Sequence, residues 1–188
     1  MARLSESSER LLILDYDGTL APFKVERSEA IPYPGVVDLL ESIAKSELSK
    51  IVVVSGRNVE EVSKFLSMER QLELWGSHGW ERMNPDGTVI TFDPGEDART
   101  GLTEALRIIE TQELEKRIEC KHASIALHWR GLRESLKQEL KEKISAAWQD
   151  IAEGHGLALK SFEGGLEIIA PGRNKSHAVR EIIDGSDS

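Results

Sequence analysis

Two short apolar runs, residues 11–14 and 51–54, constrain this chain most, because each ends on a polar residue and a segment of helical period lies between them. Four apolar residues bounded by polar ones read as a strand buried on both faces. Between the runs, Val36, Val37, Leu39, Leu40, Ile43, Ala44 and Leu48 recur at helical spacing after a breaker stretch at 32–35. This is a β-α-β unit, and its parallel strands place any chemistry at their carboxyl ends. Those ends are Asp15 and Ser55.

A second helix follows Ser55 directly. Asn58 can cap it, Glu61 supplies the capping-box partner, and Val59, Val62, Phe65 and Leu66 form its inner face. Residues 72–75 read as a third strand. Residues 81–83 and 88–92, joined by Asn84-Pro85-Asp86-Gly87, read as a hairpin. A helix over 102–118, a strand over 123–129, a long helix marked by Leu132, Leu136, Leu140, Ile144, Trp148 and Ile151, and a hairpin turning at Gly164-Gly165 follow. The order β-β-α-β-α-β-β predicts an α+β module at 82–170 inserted into a core of residues 1–81 and 171–188, with a last core helix over 176–183. The fold class is α/β, with a parallel sheet and helices on both of its faces.

The 188 residues are 39% hydrophobic, enough to bury a core, and 24 Lys and Arg stand against 33 Asp and Glu, a formal charge of -9. Acidic residues spread along the chain argue against a nucleic-acid partner. An anionic substrate would be held by a few local cations set in motifs. The single cysteine, Cys120, cannot form an internal disulfide and is expected to be a half-buried cap or helix-end residue, in keeping with a reducing compartment. The polar opening MARLSESSER carries no apolar signal core, and no apolar run exceeds strand length. A cytoplasmic, soluble and monomeric protein with no membrane partner is expected.

Asp15 and Asp17, one residue apart at a strand end, point the same way in extended backbone. One carboxylate can attack phosphorus while the other protonates a leaving alcohol and then activates water. Attack of an anion on an anion is helped by Mg²⁺, which prefers hard oxygen ligands. Gly18 allows close backbone approach and Thr19 adds a donor. Taken alone, the Asp pair also describes a strand cap. A calcium loop starting at Asp15 is excluded, because Gly18 falls at position 4 instead of 6 and a strand precedes it. A P-loop is excluded, because Gly172-Arg173-Asn174-Lys175-Ser176 lacks the required spacing. Ser55-Gly56-Arg57 opens a helix and offers a hydroxyl and backbone N–H groups to an anion, though it also describes an ordinary helix cap. Lys175 provides a point positive charge for phosphate, or else is solvated surface.

The set Asp15-Tyr16-Asp17-Gly18-Thr19, Ser55-Gly56-Arg57 and Asn174-Lys175 resembles the first three motifs of haloacid dehalogenase phosphatases. More narrowly, LDYDGTLAP, VVVSGR, Gly76-Ser77-His78-Gly79 with Glu81, the stretch 126–130, and Leu166-Glu167-Ile168 before Pro171 resemble the trehalose-6-phosphate phosphatases, over residues 10–183. That resemblance implies a haloacid dehalogenase-like core and an α+β cap over a sugar. It implies Asp15 as nucleophile and Asp17 as general acid and base, with Mg²⁺ on the Asp15 carboxylate and the Asp17 carbonyl. It further implies Thr19, Ser55, Gly56, Arg57 and Lys175 as phosphate-binding residues, and His78, Glu81, Arg130, Glu167 and Asn174 as sugar-binding residues. For His128 and Trp129 it leaves packing equally open, and His122, His155 and His177 read as surface or packing residues.

The resemblance also implies a fourth, acidic Gly-Asp-Asp loop after a further strand. Only 13 residues follow Lys175, and the acidic stretch 184–187 is too close to the last helix to serve. Two outcomes are therefore expected to compete: hydrolysis of a sugar phosphate, either trehalose 6-phosphate or a related glycosyl phosphate, and binding of such a ligand without turnover.

Overall fold

The structure, a computed structural model, describes residues 10–24, 26–112, 114–162 and 164–185. The polar opening over 1–9 and the tail residues 186–188 lie outside them. The chain divides into two compact units, Met1–Phe92 with Arg173–Ser188, and Asp93–Gly172.

The first unit is built on a five-stranded sheet. Strands β1 (Leu11–Asp15), β2 (Lys50–Val54) and β3 (Glu73–Gly76) run parallel, and β4 (Glu81–Met83) and β5 (Val89–Thr91) continue it antiparallel in the order β1-β2-β3-β4-β5. Helices α1 (Val36–Ser46) and α2 (Val59–Leu66) pack one face through Leu40, Val62 and Leu66 against Ile51, Val53 and Leu74. Helix α5 (Lys175–Asp184) covers the other, where Ala178 and Ile182 meet Val52, Val54 and Trp75. Helices thus lie on both faces, and the apolar run of β2 follows from that: its residues 51–54 are buried whichever way they point. Asn58 caps α2 by accepting the Glu61 N–H at 2.8 Å, as its type and position predict.

The hairpin falls elsewhere than expected. Only four residues separate β3 from β4, too few for a parallel crossover, so β4 folds back antiparallel on β3 with Trp75 opposite Arg82. The hairpin extends the first sheet, and the units divide at 92/93 and 172/173 instead of near 82 and 170. Its turn is the one its residues dictate: Gly87 sits at φ 84° and the Asp86 carboxylate accepts the Thr88 N–H at 2.8 Å.

The second unit is a four-stranded antiparallel sheet in the order β6-β7-β9-β8, from Ile118–Lys121, Ser124–His128, Gly165–Ile169 and Ala158–Phe162, with α3 (Glu96–Glu110) and α4 (Glu134–Gly154) packed on it. Helix α3 starts and ends earlier than predicted, and the residues after it form β6, a strand the sequence did not disclose because Ile-Glu-Cys-Lys carries little apolar signal. Cys120 is consequently an exposed strand residue and not a helix end. Trp148 is fully buried and donates its indole N–H to the Ala105 carbonyl at 3.1 Å, joining α4 to α3. Among the described residues, no helix is long and apolar enough to cross a membrane.

His155, at the end of α4, reaches back to α3: Nδ1 lies 2.7 Å from Asp97 and Nε2 3.3 Å from Glu104. The Asp97 bond raises the imidazole pKa above its usual value, burial opposes this, and Glu104 adds to the rise. A raised folded-state pKa means a stabilising contribution present below the unfolded value of about 6.5 and lost as pH climbs through the folded value. The melting temperature of the wild type should therefore exceed that of His155→Gln at pH 6, and the gap should close by pH 8.5. A gap independent of pH would refute the charge-based account.

Candidate functional site

Parallel register sets the geometry of the first unit's site. Asp15 is opposite Val54, so the segments that begin at Tyr16 and at Ser55 leave the carboxyl ends of β1 and β2 side by side. The Asp15 carboxylate is held from two sides. Its Oδ1 accepts the Tyr16 N–H at 2.8 Å, and its Oδ2 accepts the Lys175 ammonium at 2.7 Å across 160 residues of sequence. The chain then turns sharply: Leu20 and Ala21 both donate N–H to the Tyr16 carbonyl, with Gly18 at φ 82° and Thr19 exposed on the turn. Tyr16 anchors the turn from below, with its hydroxyl on the Ala30 carbonyl at 2.7 Å and its phenol pushed up to about 12 by burial, so it remains a neutral donor.

Ser55 is buried, and its hydroxyl accepts the Arg57 N–H at 3.1 Å. Gly56 has no room for a side chain, because a Cβ there would lie 2.6 Å from the His78 ring. His78 is thus brought onto the Ser55-Gly56-Arg57 loop. It is held there by an unusual backbone: Ser77 (φ 48°), His78 (φ 58°) and Gly79 (φ 98°) are successively left-handed. Bonds from Ser77 N–H to the Arg57 carbonyl (2.7 Å) and from His78 N–H to the Ser55 carbonyl (3.0 Å) sustain the turn. Arg173 Nε, 2.7 Å from the Gly79 carbonyl, adds a third bond.

Three expected ligand residues have protein partners. The Arg57 guanidinium faces Asp17, Glu61 and the Arg27 carbonyl. The Glu81 carboxylate caps α2 through the Val59 N–H at 3.0 Å and takes the Ser77 hydroxyl at 2.9 Å. The Asn174 side chain caps α5, accepting the Ser176 and His177 N–H groups at 2.9 and 3.1 Å and thereby presenting Lys175 on the first turn. Glu61 was read only as the capping-box partner of Asn58, and Arg27 was not singled out. The i,i+4 spacing of Arg57 and Glu61 on one helix start was the signal available for the first; Arg27 had none.

Arg130 and Glu167 belong to the second unit. There Glu167 accepts the Ser124 hydroxyl at 2.7 Å and the Lys121 ammonium at 3.3 Å, and Lys121 also lies 3.6 Å from Glu119, itself 3.3 Å from His128 Nε2. Glu119, Ala126, Glu167 and Lys160 form one cross-strand row. Arg130 is exposed beside Gly164, where a Cβ would come within 3.1 Å of its guanidinium. The sequence did not single out Glu119 or Lys121, because β6 was not foreseen, nor Ser124, which was read only as part of a strand.

For a divalent cation, the Asp15 carboxylate and the Asp17 carbonyl are hard oxygen donors at one loop, and they fit Mg²⁺ in kind. Among the described residues, no group of three or more His, Cys, Asp or Glu side chains could hold a metal.

The model of the trehalose-phosphatase family matches residues 13–188. The chain belongs to the trehalose-phosphatase family. It is 26% identical over 184 residues to a bifunctional trehalose-6-phosphate synthase/phosphatase from Thermoproteus tenax, covering 96% of this chain and 25% of that protein. The C-terminal domain of C. albicans trehalose-6-phosphate phosphatase shares its fold with a TM-score of 0.77 at 21% identity, covering 95% of this chain and 63% of that one. A haloacid dehalogenase-like hydrolase from Bacteroides thetaiotaomicron has a TM-score of 0.65 at 15% identity, covering 95% and 77% of the two chains. The α/β fold is therefore haloacid dehalogenase-like. The trehalose-phosphatase-family chain spans about a quarter of the length of the first curated relatives it matches.

Proposed function

We propose that this chain carries the hydrolysis of a sugar phosphomonoester, trehalose 6-phosphate, through an aspartyl-phosphate on Asp15. The observation that supports this most is the Lys175–Asp15 contact of 2.7 Å, which brings the distant third motif onto the first at a strand end. In the proposed reaction an Asp15 carboxylate oxygen attacks phosphorus and the bond from phosphorus to the sugar oxygen breaks. Asp17, entering as the acid, gives its proton to the departing alkoxide. Asp17, now a carboxylate, takes a proton from water as that water attacks the aspartyl-phosphate, which releases phosphate and restores Asp15. Lys175 and the Ser55-Gly56 loop orient the phosphoryl oxygens. Mg²⁺, held by the Asp15 carboxylate and the Asp17 carbonyl, would neutralise phosphate charge.

The second unit takes the role of the cap in this reading, with Glu119, Lys121, Glu167 and Arg130 as a charged set suited to sugar hydroxyls. The reading extends to a cytoplasmic monomer without nucleic-acid or membrane partners. The test is phosphate release from a panel of sugar phosphates with and without Mg²⁺. Preferential, Mg²⁺-dependent release from trehalose 6-phosphate is the expected result. Ligand-induced thermal stabilisation without release at saturating Mg²⁺ would instead establish a binding module.

A further inference from the structure

Arg57 is a phosphate-loop residue whose side chain turns away from the loop. The residue is 4% exposed, and every nitrogen of its guanidinium is engaged. Nε lies 2.9 and 3.1 Å from the two Asp17 carboxylate oxygens, and Nη2 lies 2.8 Å from Oδ1, a side-on fork that fixes the plane of the carboxylate as well as its position. Nη1 bonds Glu61 and, at 3.0 Å, the Arg27 carbonyl, while Arg27 in turn holds the other Glu61 oxygen at 3.2 Å. The guanidinium also lies over the Tyr16 and Phe65 rings at 5.5 and 5.4 Å, and those rings stack on each other. The Arg57 backbone ties the same residue to the Ser55 hydroxyl and to the left-handed Ser77 turn.

This arrangement is more than a surface ion pair. Asp17 is itself partly exposed at a loop, where a carboxylate would sample several rotamers, and a rigid buried fork removes that freedom. We propose that Arg57 is a positioning residue for the acid–base carboxylate of Asp17, clamped by Glu61 and Arg27, so that one residue ties the proton-transfer group to the phosphate loop. This inference rests on the reading of Asp17 as the acid and base. In it, Arg57 holds no proton in flight and touches no substrate; it sets where the Asp17 proton is presented.

The experiment separates orientation from phosphate binding by the leaving group. An alkyl phosphate such as trehalose 6-phosphate needs its alkoxide protonated, whereas 4-nitrophenolate leaves without a proton. Arg57→Lys, which keeps the charge but not the fork, and Arg57→Ala should lower kcat on trehalose 6-phosphate by on the order of 10²-fold with little change in KM. The nitrophenolate burst that reports phosphoryl transfer to Asp15 should stay within about tenfold of wild type. Equal losses on the two esters, a rise in KM in place of a fall in kcat, or no loss at all would overturn the proposal.

A second measurement needs no turnover. In a thermal double-mutant cycle of Arg57→Ala with Asp17→Ala, the double variant should lose less than the summed single losses, by roughly 2–6 °C. Additive losses would overturn the proposal. If the wild type hydrolyses neither ester, the hydrolytic reading fails, and this cycle alone decides whether Arg57 holds Asp17.

Discussion

In the proposed mechanism, Asp15→Asn is expected to abolish phosphate release, by at least about 10⁴-fold, because an amide oxygen is too weak a nucleophile to form the acyl phosphate and no neighbouring carboxylate occupies its position. The fold should survive the change. Asp15 is exposed at the end of β1, and the retained carbonyl oxygen can still accept the Tyr16 N–H. The lost partner is Lys175, in a pair whose side chains are 44% and 37% exposed, so solvent screening limits that loss to about 0.2–1 kcal/mol. Phosphate release and thermal melting measured on the same preparation check both halves. Turnover unchanged in the asparagine variant would remove Asp15 from the chemistry, and collapse of the fold would show that its carboxylate is structural.

Trp148→Ala should have the largest effect on stability. Trp148 is 0% exposed, and neighbouring Ile144, Ala105 and Ile109 are equally closed to solvent, so truncation leaves a void between α4 and α3. Emptying such a site costs about 3–5 kcal/mol. The indole bond to the Ala105 carbonyl adds about 0.5–1.5 kcal/mol. Against a domain stability of about 5–15 kcal/mol, this is enough to unfold the second unit or leave it marginal. Hydrogen exchange should show loss of protection in β7, β9 and α4, with Trp148→Phe retaining most of it. A melting temperature within about 2 °C of wild type for the alanine variant would contradict this packing account.

Much of the first unit was legible because its signals are local. A buried parallel strand is apolar at every position, a helix start needs Asn58, and a tight turn needs Gly87. The same holds for the motif segments at strand ends, since register carries the residues after Asp15 and after Val54 to one edge, where Arg57 meets Asp17. The hairpin at 81–91 was recognised, but its allegiance was not. A hairpin's sequence records its own turn and says nothing of which sheet edge it joins; the short link from Gly76 decided that. Strand β6 was hidden because its Glu119 and Lys121 pair with charged groups, His128 on the next strand and Glu167 46 residues on from Lys121, and carry no apolar alternation.

The side-chain roles divide in the same way. Residue type and spacing were enough to nominate Asp15, Asp17, Ser55 and Lys175, because phosphoryl chemistry needs carboxylates and donors at strand ends, and the structure brings Lys175 onto Asp15. Which partners Arg57, Glu81 and Asn174 take is seen only in the tertiary structure. Each can serve an anion, a sugar or a helix end, and the choice depends on which donor or acceptor stands within 3 Å. For Arg57 that partner is Asp17, 40 residues earlier, for Glu81 it is the first turn of α2, and for Asn174 it is the start of α5. Spacing along the chain encodes which chemistry is available. Only packing in three dimensions decides which partner is near enough to receive it.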